Sequence, residues 1–317
     1  MRMRSVVTGV AGFLGSHVAE ALLARGHTVL GVDRRSPARD TAAARNLSGL
    51  LERPAFRLVV ADLNHTPLEP LLDDAATVYH LAAVPGVRAS WGPRFGEYLA
   101  SNVLATQRVV TACARVETPR LVFASSSSVY GTTTGRPSRE DDPTLPASPY
   151  GMTKLSAERL CLAHARDAGS RTSVVALRYF TLYGPRQRPD MMISRVLRAA
   201  FTGEPVRVYG DGTQRRDFTY VADAVAATLA AGTVPARAEA VNVGGGASVP
   251  VRELIDLAAE VTGRPVPVRR DVPQRGDVAV TSADLAKARD LLGHVPATGL
   301  AEGLARQWAH LTAAVTG

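Results

Sequence analysis

Three glycines spaced three apart, where a strand gives way to a helix, constrain this chain more than any other feature. A short β-branched run, Ser5–Thr8, leads into Gly9-Val10-Ala11-Gly12-Phe13-Leu14-Gly15, and an Ala/Leu-rich helical pattern follows over Leu14–Arg25. The first glycine permits a tight turn, the second lets backbone approach a pyrophosphate, and the third lets helix and strand pack closely. The helix N-terminus then offers N–H groups to an anion. A glycine triplet alone is weak evidence. With a strand before it and a helix behind it, the loop specifies a dinucleotide-binding βα unit.

The alternation that starts there continues. Strand-like runs fall at Ser5–Thr8, Thr28–Val32, Phe56–Val60, Thr77–Leu81, Arg120–Ser125 and Ser173–Leu177, with helical patterns at Leu14–Arg25, Glu97–Val116 and Tyr150–Ala168. Near-continuous apolar strands separated by helices predict an α/β fold with a doubly wound, parallel, Rossmann-type sheet. After Tyr179 the texture shifts to Gly-Pro turns, more proline and a helix at about Met191–Thr202. Residues 1–180 are therefore expected to form the dinucleotide-binding domain and 181–317 a smaller C-terminal α/β substrate domain. Helical patterns at Val221–Ala231 and Val251–Val261 suggest a return to the first domain, placed near 218–246. A length of 317 residues with 46% hydrophobic content allows one large or two modest domains.

Several function classes are disfavoured. The formal charge is +8, but the arginines are scattered and form no basic stripe interleaved with aromatics, so nucleic acid is not an expected partner. No apolar run approaches the roughly 20 residues needed to span a bilayer. The Met-Arg-Met-Arg start runs straight into a strand rather than into a signal peptide. Cys113 and Cys161 are too few for a disulfide framework and read as reduced core thiols of a cytoplasmic protein. No metal site is expected.

Asp33 closes the second strand 18 residues after Gly15. A carboxylate there accepts from both adenosine ribose hydroxyls and repels a 2′-phosphate, which favours NAD over NADP. Arg34 and Arg35 pull the other way. Asp62-Leu63 after the third strand and Leu81-Ala82-Ala83 after the fourth are placed for adenine and the adjoining ribose.

Tyr150 and Lys154 stand one helical turn apart in Ser-Pro-Tyr-Gly-Met-Thr-Lys. Lys154 is one of only two lysines; the other 35 cationic side chains are arginines. An ammonium next to a phenol favours phenolate and pulls a pKa near 10 towards neutrality. The plain alternative is a surface i,i+4 neighbour pair.

These motifs stand in order with Ser125-Ser126-Ser127-Ser128-Val129-Tyr130-Gly131, Arg178-Tyr179-Phe180-Thr181-Leu182-Tyr183-Gly184-Pro185, Arg216-Asp217-Phe218-Thr219-Tyr220 and Gly276-Asp277. Together they resemble the extended short-chain dehydrogenase/reductases, and more narrowly the nucleotide-sugar epimerases and dehydratases, over nearly the whole chain. The G-x-x-G-x-x-G spacing is also that superfamily's variant. The resemblance implies that Tyr150, as phenolate, takes the proton from a sugar C4 hydroxyl while hydride leaves C4 for NAD. It implies that Lys154 holds the nicotinamide ribose and that Ser126 hydrogen-bonds the sugar oxygen, although four serines in a row also read as a polar turn. Asn102 matches a helix position supporting this network. Ser125 and Tyr179 fall among the cofactor contacts with Gly9, Gly12, Phe13, Leu14, Gly15, Asp33 and Arg34. Arg216 and Asp277 match positions that hold the nucleotide diphosphate and its ribose. A homodimer is implied, paired through the helices at Glu97–Val116 and Tyr150–Ala168, with Leu155, Leu160 and Leu162 as an apolar face.

The residues around the sugar narrow the reaction. Related dehydratases carry Asp-Glu where this chain has Ser127-Ser128, and related decarboxylases carry Glu at the second position. Neither serine supplies a carboxylate, which leaves C4 epimerisation. The serine run, Phe180-Thr181, Gly86-Val87-Arg88 and Gln187-Arg188-Pro189-Asp190-Met191 resemble UDP-glucuronate 4-epimerases. A 4-keto uronate is a β-keto acid that loses carbon dioxide when its carboxylate turns perpendicular to the ketone. A guanidinium at Arg188, assisted by Thr181, would fix that carboxylate. Arg188 bound to phosphate or solvent is the competing reading, and UDP-glucose or a UDP-N-acetylhexosamine the competing substrates. Ala89-Ser90-Trp91-Gly92 and Gln274-Arg275 depart from the family pattern at the pocket's far rim.

Overall fold

A computed structural model of the chain describes residues 3–132, 135–272 and 275–316. Gln274 lies outside the described residues. The first half runs β1 (Arg4–Thr8), α1 (Phe13–Ala24), β2 (Thr28–Asp33), α2 (Thr41–Leu51), β3 (Phe56–Val60), α3 (Glu69–Leu72), β4 (Thr77–His80), α4 (Phe95–Tyr98), α5 (Ala105–Arg115), β5 (Arg120–Ser126) and α6 (Pro149–Arg166). The second half runs β6 (Ser173–Tyr179), β7 (Thr181–Tyr183), α7 (Met192–Thr202), β8 (Val206–Tyr209), β9 (Arg215–Tyr220) and α8 (Val221–Ala231). It ends with β10 (Ala238–Val243), β11 (Ser248–Pro250), α9 (Val251–Thr262), β12 (Val268–Asp271), α10 (Ala286–Leu292) and α11 (Leu300–Thr316).

Seven strands form one sheet in the order β10-β6-β5-β4-β1-β2-β3, every pair parallel. The order reverses between β1 and β4, and ligands of such sheets bind outside the strand carboxyl ends at that switch point. Side-chain alternation builds two cores, one on each face. Val7, Val29, Val122 and Leu177 enter one, and Val6, Leu30, Phe123 and Ala176 the other. Both faces are covered, so these strands need apolar residues at consecutive positions. The expected doubly wound sheet is thus present, with strand ends displaced by at most two residues from expectation.

Beyond the main sheet lie a three-stranded sheet, β11-β9-β7, and a two-stranded one, β12-β8. β10 rejoins the large sheet beside β6, and α8 packs against α1. We propose to keep the division at residue 180, with 218–246 returned to the first unit. Cys113 and Cys161 are free, buried thiols of the second core, and burial pushes Cys113 up to about 12. Leu162 is sealed into that core as well, so it cannot serve a dimer face. The large apolar side chains that the segments 97–116 and 150–168 leave in solvent are Leu99, Leu104 and Met152. Among the described residues no helix is long and apolar enough to cross a membrane, and no His/Cys/Asp/Glu group is arranged to hold a metal.

Candidate active site

Helix α6 starts in a way that fixes Tyr150. Ser148 caps it by accepting from Gly151 N at 3.1 Å, and Pro149 takes the first helical position, where a missing N–H costs nothing. Tyr150 N–H donates to Ser90 Oγ at 3.1 Å. The phenol thereby reaches the end of β5, where the Ser126 hydroxyl hydrogen-bonds it. Ser126 sits opposite Tyr179 in the β5–β6 register, and its Oγ also accepts from Ser128 N at 3.2 Å. One turn along α6, Lys154 is 3% exposed, with Nζ 4.5 Å from the centre of the Phe123 ring.

Burial decides the protonation of this pair. Desolvation raises the Tyr150 phenol, opposed by the Ser126 hydrogen bond and the Arg188 charge. This direction is opposite to the shift towards neutrality expected from the Lys154 spacing. The ammonium rests on an aromatic face and is itself destabilised by desolvation, with a pKa lowered to about 8 although Cys161 and Glu158 oppose the shift.

Asn102 supports the site from behind rather than lining it. It is 1% exposed; its Oδ1 accepts from Val84 N at 2.8 Å, and its Nδ2 donates to Val84 O and Thr153 Oγ1. The loop after β4 is thus tied to the helix that carries Tyr150. Asn102 is not among the residues that line the cleft, whereas neighbouring Ser101 is. A π-helical turn over Leu99–Leu104 sets this register, and such bulges concentrate at functional sites.

A continuous cleft of about 1400 Å³ runs along the carboxyl ends of the strands. That exceeds the roughly 300–1,000 Å³ usual for one ligand and suits two bound end to end. Gly9, Gly12, Phe13, Leu14, Gly15, Asp33, Arg34, Asp62, Leu63 and Leu81–Ala83 line one half; Ser125–Ser128, Tyr150, Lys154, Tyr179, Thr181 and Arg188 line the other. The chain fits a dinucleotide at the glycine loop. Gly9 has φ +72°, and a Cβ there would lie 2.7 Å from Ala82 N, while one on Gly15 would meet Gly9 O at 2.2 Å. Gly12 stands at the N-cap of helix α1 with no side chain to cap it, leaving the first turn to an anion. The Asp33 carboxylate is fixed at the end of β2 by Ala11 N at 3.0 Å and Arg35 N at 2.9 Å. Tyr179 borders the cleft but turns its hydroxyl to Thr228 Oγ1 at 2.6 Å.

Arg88, Arg216 and Asp277 do not line this cleft; they meet each other beside it. Arg88 Nη2 lies 3.0 Å and Arg216 Nη2 3.9 Å from the Asp277 carboxylate, and Arg88 stacks 4.0 Å from the Tyr209 ring centre. Two guanidiniums share one carboxylate, which leaves positive charge for a phosphate. Arg188 lies at the sugar end and is paired with Asp190, Nε to Oδ1 at 2.9 Å and Nη2 to Oδ2 at 2.5 Å.

Sequence reasoning missed residues that act through others. Tyr98 packs edge-on to Tyr150, ring centres 6.3 Å apart, and donates to Gly86 O at 3.0 Å. Glu158, fully buried, accepts from Ser125 Oγ at 2.6 Å and forms a bidentate pair with buried Arg178 at 3.0 and 2.7 Å. Arg178 continues to the Tyr130 hydroxyl at 2.8 Å. Glu158 follows Lys154 by one turn, so a carboxylate on that face was readable. Its arginine partner, on strand β6, was not.

Residues 5–244 match the NAD dependent epimerase/dehydratase family. YtcB of Bacillus subtilis (strain 168), an uncharacterized UDP-glucose epimerase, is 40% identical over 99% of this chain and 100% of its own. MoeE5, solved with NAD and either UDP-glucuronic acid or UDP-glucose, is 46% identical over 98% of this chain and 99% of its own, with TM-scores of 0.91 and 0.90. The UDP-glucuronic acid 4-epimerase of Bacillus cereus, solved with UDP-glucuronic acid and NAD, is 37% identical over 98% of this chain and 100% of its own, TM-score 0.93. The ordered motifs, the sheet and the cleft agree with these relatives: the chain belongs to the NAD-dependent epimerase/dehydratase family, and NAD is its cofactor.

Proposed function

We propose that this protein interconverts UDP-glucuronate and UDP-galacturonate by epimerisation at C4. The broader activity is that of its relatives: the chain is an NAD-dependent UDP-sugar 4-epimerase, an isomerase. The sugar is the proposal. The observation that carries it is the Arg188 guanidinium, which lines the sugar end of the cleft close enough to act electrostatically on Tyr150.

NAD would be held by the glycine loop, Asp33 and Lys154, and when bound would accept the hydride from C4, return it to the opposite face and add positive charge that favours phenolate. The protein's own groups handle the proton. Tyr150 takes it from the C4 hydroxyl and returns it after the keto sugar has turned, with the Ser126 hydroxyl as donor to the developing negative charge. Lys154 holds positive charge at the cofactor end. Ser127 and Ser128 border the sugar without a carboxylate, so the C5 proton has no base there and dehydration is disfavoured. Arg188, with Thr181 beside it in the cleft, fixes the uronate carboxylate and resists the rotation that decarboxylation needs.

UDP-glucose is the second reading, favoured by the name of the Bacillus subtilis relative and by the MoeE5 complex with UDP-glucose. Arg188→Ala separates them. Loss of a hydrogen-bonded charge pair costs about 2 kcal/mol or more, so kcat/KM for UDP-glucuronate is expected to fall about 30-fold or more. UDP-glucose, having no carboxylate, falls less, although Tyr150 also loses the help of the Arg188 charge. Steady-state assays on both sugars give the ratio; an unchanged ratio removes the carboxylate role.

A further inference from the structure

We infer that Asp190 is a positioning residue for substrate choice: it grips one edge of the Arg188 guanidinium so that the other edge is presented to the sugar carboxylate. This rests on the uronate reading above. A guanidinium carries five N–H donors in a rigid plane, enough for two bidentate edges. Asp190 takes the Nε/Nη2 edge, at 2.9 and 2.5 Å. On the other edge Nη1 has no hydrogen-bond partner among the described residues, and Nη2, bonded to Asp190 Oδ2, keeps a second N–H. Arg188 borders the cleft and is 33% exposed, whereas Asp190 is 64% exposed and stands outside the cleft lining. Asp190 therefore holds Arg188 from the solvent side.

The turn that carries the pair is itself anchored. His17 Nε2 meets Pro185 O at 2.9 Å, and Arg186, at φ +66°, donates to Glu20 at 2.6 Å and Ser16 Oγ at 3.0 Å. Gln187 Oε1 accepts from Ser194 N at 3.0 Å and Gln307 Nε2 at 2.9 Å. With the backbone pinned at both sides, the remaining freedom is in the long Arg188 side chain, and the ion pair with Asp190 removes it. Arg188 also holds the Asp190 carboxyl below its usual range, so the grip persists at neutral pH. A side chain ordered before substrate arrives loses less freedom on binding.

Asp190→Asn, assayed as the NAD-loaded enzyme, is expected to raise KM for UDP-glucuronate about fivefold, the cost of ordering one long side chain, with kcat nearly retained. In an Arg188→Ala background the same change is expected to add nothing, because the group it positions is gone. A thermal melt matching the parent excludes a general loss of structure. A KM for UDP-glucuronate that stays the same or falls overturns the proposal, a fall meaning that Asp190 competes with the substrate for Arg188. If Arg188→Ala leaves the preference for uronate untouched, the uronate reading fails and this inference with it. If Arg188→Ala destroys the preference and Asp190→Asn does not weaken it, only this inference fails.

Discussion

Tyr150→Phe is expected to lower kcat about 1,000-fold or more, within the range for loss of a positioned proton-transfer group. The change removes one oxygen and leaves the ring. The edge-on packing against Tyr98 at 6.3 Å stays, and so does the Ser148 cap that starts the helix. UDP-sugar binding is therefore expected to survive, and the loss to fall in kcat rather than KM. Ser126 keeps its place but has no proton acceptor to serve. Ser127, Ser128 and Thr181, which the proposal places beside the sugar, carry hydroxyls that are far weaker bases than a phenolate. Single-substrate kinetics with matched circular dichroism check this, and retention of more than about a tenth of kcat would show that another group moves the proton.

Lys154→Arg keeps the charge and is still expected to cost about 100-fold in kcat/KM. The ammonium occupies a 3% exposed position over Phe123, in a site sized for a compact cation. A planar guanidinium needs more width and several hydrogen-bond acceptors. The pH profile supplies a second reading. Desolvation sets the Lys154 pKa at about 8, below its ordinary value, so the charge is present below pH 8 and lost as pH rises through it. Wild-type kcat/KM is expected to fall along that alkaline limb. An arginine does not deprotonate in this range, so the residual activity of Lys154→Arg lacks the limb. An arginine variant with near-wild-type activity would show that any positive charge suffices.

Why were some elements readable and others not? Strands β1, β2, β4, β5 and β6 are covered on both faces, so burial demands consecutive apolar residues, and the sequence shows them; the edge strand β3 is partly exposed but still carries a β-branched run. β10, Ala238–Val243, was not read as a strand because Glu239 and Asn242 interrupt its apolar run. Those residues are there for partners: Glu239 meets Lys287 at 2.7 Å and Asn242 accepts from Tyr130 at 2.7 Å. α2 carried a usable signal that went unread, an Asp40 cap with Ala43, Leu47 and Leu50 on one face. The cleft residues followed from the glycine loop and the Tyr150/Lys154 spacing, since these motifs place side chains at strand and helix ends. The π-helical turn that sets Asn102 leaves no periodic trace. The protonation balance at Tyr150 was misjudged for a related reason: a four-residue spacing shows that an ammonium is near, but not how far both groups are removed from water. The separation of Arg88, Arg216 and Asp277 from the main cleft likewise depends on how the smaller sheets sit.

Proton NMR of the purified protein incubated with UDP-glucuronate tests the central claim most directly. The expected result is the growth of UDP-galacturonate signals to a steady mixture, with no pentose signals and no release of carbon dioxide. A UDP-pentose product would contradict the role given to Arg188, and an unchanged uronate alongside conversion of UDP-glucose would contradict the substrate itself.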